Sequence, residues 1–203
     1  MTIAVVDSGG ANIASILHAL RRLGVEPVFT ADPQVIKAAD RVILPGVGAA
    51  GCAMQTLNKH KLSNVIRELK QPVLGICLGM QLLFQSSEEN DTELLGIIPA
   101  RLTRLKKQPG LRIPHMGWNT IDYLRPDPFS DTFSDDLKQK WFYFVHSYAA
   151  PVGKWTLASS NHGQPFSALV RQDNFYGAQF HPERSAKAGA SLLKSFMELK
   201  TCK

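Results

Sequence analysis

At 203 residues, 44% hydrophobic and 20% charged, with 15 Gly and 12 Pro, the chain has a globular composition that excludes a disordered tail, a collagen-like repeat and a coiled coil. Its length predicts a single domain over 1–203, able to bury a core without a disulfide or a metal. The net charge of +6 is spread along the chain; only Arg101, Arg104, Lys106 and Lys107 lie close together, with no aromatic among them, so no nucleic-acid partner is expected.

The β-branched run Ile3–Val6 stops at Asp7-Ser8-Gly9-Gly10 and reads as a strand. Ile13, Ile16, Leu17, Leu20 and Leu23 recur at helical spacing, and Gly24 closes that helix. A second strand over 27–29, a short helix over 35–39 and a third strand over Arg41–Leu44, ending at Pro45-Gly46, follow. Residues 49–57 read as helix, Val73–Ile76 as a buried strand and 78–85 as helix. Strands alternating with helices indicate βαβ units and a parallel sheet. Their near-continuous apolar character fits a sheet covered on both faces.

The second half is strand-rich, with candidates at 112–114, 118–121, 141–145, 148–149, 155–159, 168–171 and 176–180 joined by Gly, Pro, Asn and Asp. In the run Trp141-Phe142-Tyr143-Phe144, alternation sends 141 and 143 to one face and 142 and 144 to the other. The tail over 188–199 is an amphipathic helix with Leu192, Leu193 and Phe196 on one side. The fold class expected is α/β: a mostly parallel sheet flanked by helices, with an antiparallel β extension in the second half.

The three cysteines, Cys52, Cys77 and Cys202, form neither a disulfide framework nor a metal-ligand spacing. No metal or cofactor is expected. The N-terminus MTIAVVDSGG has no basic region and no long apolar core, unlike a signal peptide. No window reaches the roughly 18–20 apolar residues of a membrane helix. These features predict a cytoplasmic protein with reduced thiols and no membrane partner.

The strongest chemical signal is Gly75-Ile76-Cys77-Leu78-Gly79, between a buried strand and an apolar helix. It is the sulfur version of the G-x-S-x-G nucleophile elbow. A nucleophile on so sharp a turn brings the residues two before and two after it close together, so only small ones fit. The positive end of the following helix favours a thiolate. Free cysteines are often simply buried, but the flanking glycines and the strand–helix context favour a nucleophile.

Among the six histidines, His18 and His60 fall in polar-flanked helical stretches and read as surface residues. His181 ends the alternating strand 175–180 and is followed by Pro182 and Glu183. Strand ends at the carboxyl edge of an open α/β sheet are where sites collect, and Cys77 lies beyond another such strand. Glu183 can fold back onto the second ring nitrogen and fix the tautomer. The Leu44-Pro45-Gly46-Val47-Gly48 turn frees backbone N–H groups for an oxyanion, with the N–H of Leu78 as the second natural donor.

Gly-Ile-Cys77-Leu-Gly-Met-Gln81 together with Phe-His181-Pro-Glu183 resembles the triad class of glutamine amidotransferases. Asp7-x-Gly9-x-x-Asn12, Leu44-Pro-Gly-Val-Gly48, Leu95-Gly-Ile97, Pro114-His-Met-Gly-Trp-Asn119, Tyr143-Phe-Val-His-Ser-Tyr148 and the run 175–185 narrow the resemblance to the glutaminase subunits of imidazole glycerol phosphate synthases. It runs from residue 1 to about 200 with the motifs in order.

The resemblance implies hydrolysis of glutamine to glutamate and ammonia by Cys77, His181 and Glu183. The ammonia passes to a (β/α)8-barrel synthase (cyclase) subunit, the partner in a heterodimer. That subunit forms imidazole glycerol phosphate and an aminoimidazole carboxamide ribotide in histidine biosynthesis. The resemblance also places Val47 and Gly48 on an oxyanion strand whose backbone reorients when the partner is active. Gln81, Ser147 and Tyr148 fall near bound glutamine, and Asn12, Trp118, Tyr143 and Arg184 face the partner. From the residues alone, a core Trp is the commoner fate of Trp118 than an interface anchor.

Other readings stay open on the residues themselves. The chain could serve another synthase, such as one making pyridoxal phosphate or anthranilate. A non-enzymatic thiol sensor using Cys77 as a redox switch would leave His181 and Glu183 without roles. A cysteine peptidase would need an open groove.

Overall fold

The computed structural model describes residues 1–9, 13–131 and 141–199. In chain order these form β1 (Ile3–Val6), α1 (Ile13–Arg22), β2 (Val28–Thr30), α2 (Pro33–Ala38), β3 (Arg41–Leu44), α3 (Ala50–Lys59), α4 (Leu62–Glu68), β4 (Val73–Ile76) and α5 (Leu78–Leu82). There follow β5 (Phe84–Ser87), β6 (Thr92–Glu93), β7 (Ile98–Arg104), β8 (His115–Asn119), β9 (Asp122–Tyr123) and α6 (Pro128–Asp131). The chain then adds β10 (Phe142–His146), β11 (Tyr148–Ala149), β12 (Thr156–Asn161), β13 (Pro165–Gln172), β14 (Phe175–Ala178) and α7 (Ala186–Glu198).

The central sheet has the order β2-β1-β3-β4-β14-β13-β12-β9. From β2 to β14 neighbours run parallel; from β14 to β9 they run antiparallel. The fold is therefore α/β with the antiparallel extension expected from the sequence.

Side-chain alternation along the strands divides the core. Ile3, Val5, Ile43, Leu74 and Ile76 face one cluster with Leu20 of α1 and Leu192 and Phe196 of α7. Ala4, Val6, Val42, Leu44 and Val73 face the other, with Ile36, Leu57 and Ile66 of α2, α3 and α4. Both faces of the parallel part are thus covered, and its carboxyl edge is left for a site. Among the described residues no helix is long and apolar enough to cross a membrane.

The structure corrects two local expectations and adds elements for which the sequence reading offered none. The helix over 78–85 ends at Leu82, because Phe84 pairs with Ile98 and β5 joins a second sheet of order β11-β7-β5-β6. Residues 112–114 are not a strand; the strand lies at β8, paired with β10. α4, with Leu62 and Ile66 one turn apart and buried, lies between two expected elements. The β6 and β7 strands were also not anticipated. Trp141 is exposed and Phe142 and Phe144 are buried, as alternation predicts.

Candidate active site

Adjacent strand ends bring the candidate residues together. β3, β4 and β14 are neighbours, with Leu44 opposite Gly75 and Ile76 opposite Ala178. Cys77 follows β4 directly, and its N–H donates to the Ala178 carbonyl at 2.8 Å. His181 lies three residues beyond Ala178 at the same edge, its N–H donating to the Tyr143 carbonyl at 2.9 Å.

Cys77 has φ 53° and ψ −110°, a conformation non-glycine residues hold only where the surroundings enforce it. The enforcement is visible at its flanks. A Cβ on Gly75 would lie 2.5 Å from the Gly79 carbonyl oxygen, and one on Gly79 would lie 1.7 Å from that of Leu44. These glycines are needed for space, since neither has a positive φ. The elbow leaves the Leu78 N–H in the first turn of α5, where a helix has no internal partner for it.

His181 Nδ1 lies 2.8 Å from Glu183 Oε1, with the side chains only 8% and 4% exposed. His181 shares the pocket with Cys77, whose Sγ donates to the Val145 carbonyl at 3.6 Å. Since Nδ1 is taken by Glu183, Nε2 is the nitrogen left for the sulfur. Burial of His181 works against its charged form, but hydrogen bonds and charge from Cys77 and Glu183 outweigh it and push its pKa from 6.5 to about 10. The arrangement favours imidazolium beside the sulfur at neutral pH.

Cys77 and His181 open onto a pocket of about 320 Å³ that Val47, Gly48, Leu78, Gln81, Ser147 and Tyr148 also line. All six residues that the sequence associates with glutamine or an oxyanion therefore surround one cavity. Gly48 has φ +94° with open space around its missing side chain, so its requirement there is conformational. The turn is held from behind, where the buried Ser8 hydroxyl donates to the Pro45 carbonyl at 2.8 Å. Gln81 Nε2 donates to the Tyr148 carbonyl and to Gln179 Oε1, both at 3.0 Å.

Sequence reasoning missed Glu89, Val145 and His146 as pocket residues. Glu89 Oε2 accepts from the Ala50 N–H, at the start of α3, at 2.7 Å. Nothing in the polar run around Glu89 marks it; its partner is far away in sequence. The one signal for His146 in the sequence is its place in the run 143–148, directly before Ser147 and Tyr148.

Trp118 and Tyr143 are register partners on β8 and β10, with ring centroids 5.8 Å apart. The Arg184 guanidinium lies 5.8 Å from the Tyr143 ring centre. Trp118 is 50% exposed, so it is a surface residue and not the core Trp that sequence alone favours. The three form one surface cluster. Asn12, expected at the same interface, lies outside the described residues.

The model of the glutamine amidotransferase class-I family matches residues 4–199. The chain is 50% identical over 202 residues to imidazole glycerol phosphate synthase subunit HisH of Idiomarina loihiensis, covering 100% of both chains. It is 48% identical over 200 residues to the subunit of the same name in Escherichia coli K12, covering 98% of this chain and 100% of the relative. A solved glutamine amidotransferase from Thermotoga maritima aligns with TM-score 0.70 at 17% identity over 98% of this chain and 96% of that one, a likeness of fold.

Proposed function

The chain belongs to the class-I glutamine amidotransferase family, and from that premise we propose that it is the glutaminase subunit of an imidazole glycerol phosphate synthase, acting in histidine biosynthesis. The activity rests on the Cys77–His181–Glu183 line beside a pocket sized for a small molecule. The choice of synthase rests on 48–50% identity along the whole chain to relatives with that name.

In this reading the Cys77 thiolate attacks the side-chain carboxamide carbon of glutamine. A C–S bond forms, and the carbonyl electron pair moves to oxygen, where the N–H groups of Leu78 and Gly48 receive it. The carbonyl re-forms as the C–N bond breaks, and His181 gives its proton to the departing nitrogen, which leaves as ammonia. A water then attacks the thioester while His181 takes its proton. The C–S bond breaks, glutamate leaves, and the sulfur and the imidazole regain their starting protonation. Glu183 holds the Nδ1 proton and stabilises the imidazolium.

Glu89 is the carboxylate among the described pocket-lining residues and suits the substrate's α-ammonium. The backbone of Ser147 and Tyr148 also lines the pocket and suits the α-carboxylate, and Gln81 lies beside it near the bound glutamine. The reading takes 1–203 as one amidotransferase domain, cytoplasmic and needing no cofactor. The Trp118, Tyr143 and Arg184 cluster, with Asn12, meets a (β/α)8-barrel cyclase subunit that receives the ammonia in a heterodimer.

The partner assignment is tested by ammonia release from glutamine with and without that subunit and its ribulosyl substrate. If one oxyanion N–H is turned away at rest, restoring it raises kcat by about 10²–10³-fold. Gly48 permits such a peptide flip. Equal rates in the two conditions would refute the gating and leave the triad standing. Activation by the glutamine-dependent synthase subunit of another pathway would overturn the choice of partner.

A further inference from the structure

Beside the proposed triad, the fold buries two more histidines. His115 and His146 are 4% and 5% exposed and lie opposite each other on β8 and β10. Their hydrogen bonds can be directed from the ends inward. His146 Nδ1 is 2.9 Å from the Tyr148 carbonyl oxygen, which only accepts, so Nδ1 carries the proton. His146 Nε2 then presents a lone pair to His115 Nδ1 at 3.0 Å, and His115 must donate. His115 Nε2 is left to accept from Asn119 Nδ2 at 3.4 Å. That amide also donates to the Asn161 carbonyl at 2.8 Å.

Only neutral rings satisfy this order, since a second proton on His146 would set two N–H groups against each other. The environment agrees. Burial, then the charge of His162, lowers the His115 pKa to about 4. Burial lowers that of His146 to about 3, only partly offset by the Tyr148 bond, with His115, His162 and His181 adding in the same direction as burial. His115 is stacked against Phe144 and His162 at centroid distances of 4.9 and 4.1 Å.

The Tyr148 carbonyl also accepts from Gln81. Gln81 also donates to Gln179, whose Nε2 is 4.0 Å from Cys77 Sγ. One carbonyl on the pocket wall is therefore the shared acceptor of two donor chains, and only the amide chain reaches the nucleophile.

We infer that His115 and His146 are positioning residues: as a neutral, Nδ1-protonated pair they lock the Tyr148 carbonyl and with it the pocket wall that takes the amino-acid end of glutamine. This rests on the glutaminase reading above. The amino-acid end does not change charge during the reaction. Contacts there hold substrate and transition state alike, so weakening them raises KM and leaves kcat nearly unchanged. A merely structural pair would lower stability or the amount of active protein without that split.

The test has two arms on the full chain. In the wild type, ¹⁵N NMR of the imidazole rings should show both as Nδ1–H tautomers, with no titration between about pH 5 and 8. In the complex, His115→Phe keeps an aromatic ring but removes the donor, and KM for glutamine should rise about tenfold with kcat within about threefold. His115→Asn, whose amide N–H stands near the lost Nδ1–H, should restore KM. Nε2–H tautomers, or titration near pH 6.5, would overturn the inference even if no variant folds. So would an unchanged KM in folded His115→Phe. A wild-type complex that releases no ammonia would sink the glutaminase reading instead, with the tautomers still deciding the lock.

Discussion

Replacing Glu183 with Gln keeps the size of the side chain and removes its charge. The bond from His181 Nδ1 to Glu183 Oε1 is 2.8 Å long between groups 8% and 4% exposed, so solvent screens it little. A hydrogen bond to a charged partner is worth about 1.5–3 kcal/mol, which becomes about 10- to 150-fold in rate if it is felt fully when imidazolium forms. Loss of the base itself, in His181→Asn, should cost about 10²–10⁴-fold. Glu183 is one of the causes that raise the His181 pKa to about 10, so the Gln variant should hold the imidazolium proton less tightly. The assay is kcat for ammonia release as a function of pH. The variant's rate should fall within that range, and its alkaline limb should move to lower pH. The linkage runs the same way. A folded-state value above 6.5 stabilises the protein fully below pH 6.5, and that contribution is lost as pH rises through about 10. Glu183→Gln should show a shallower loss of Tm across that window. A profile identical in amplitude and limb position to wild type would remove Glu183 from the triad.

Gly48→Val puts a β-branched residue at φ +94°, with no steric neighbour within 4 Å. The fold should survive, the turn should shift, and kcat in the complex should fall about 10²–10³-fold while iodoacetamide still alkylates Cys77; an unchanged kcat would dismiss Gly48 as a donor. The buried His115 and His146 have folded-state pKa values of about 4 and 3, so their contribution to stability is full above pH 6.5 and declines as pH falls toward those values. The groups facing them are each other, His162 and His181. Urea unfolding from pH 7 to 4.5 should show a loss of up to about 2.7 kcal/mol per pH unit from two rings, and a flat stability profile would contradict their burial as neutral rings.

Much of the parallel sheet could be read from the sequence because its signal is local. Runs such as Ile3–Val6 and Val73–Ile76 are apolar on both sides and are punctuated by turn residues. The elbow was legible for a steric reason that the structure makes explicit at Gly79, where a side chain would meet the Leu44 carbonyl. What escaped depends on distant partners. Phe84 continues an apolar helical pattern and becomes a strand because Ile98 pairs with it. Glu89 sits in a polar run and is singled out only by the Ala50 N–H. His115 and His146 stand far apart in the chain, and only the pairing of β8 with β10 sets one ring against the other.

The central claim is that Cys77 carries the acyl group. The most direct measurement compares wild type and Cys77→Ala in complex with the synthase subunit, supplied with either glutamine or an ammonium salt at high pH. The account predicts that Cys77→Ala loses glutamine-dependent synthesis and keeps the ammonium-dependent reaction, because no thioester can form while the partner's site is untouched. Substantial ammonia release from glutamine by Cys77→Ala would contradict it.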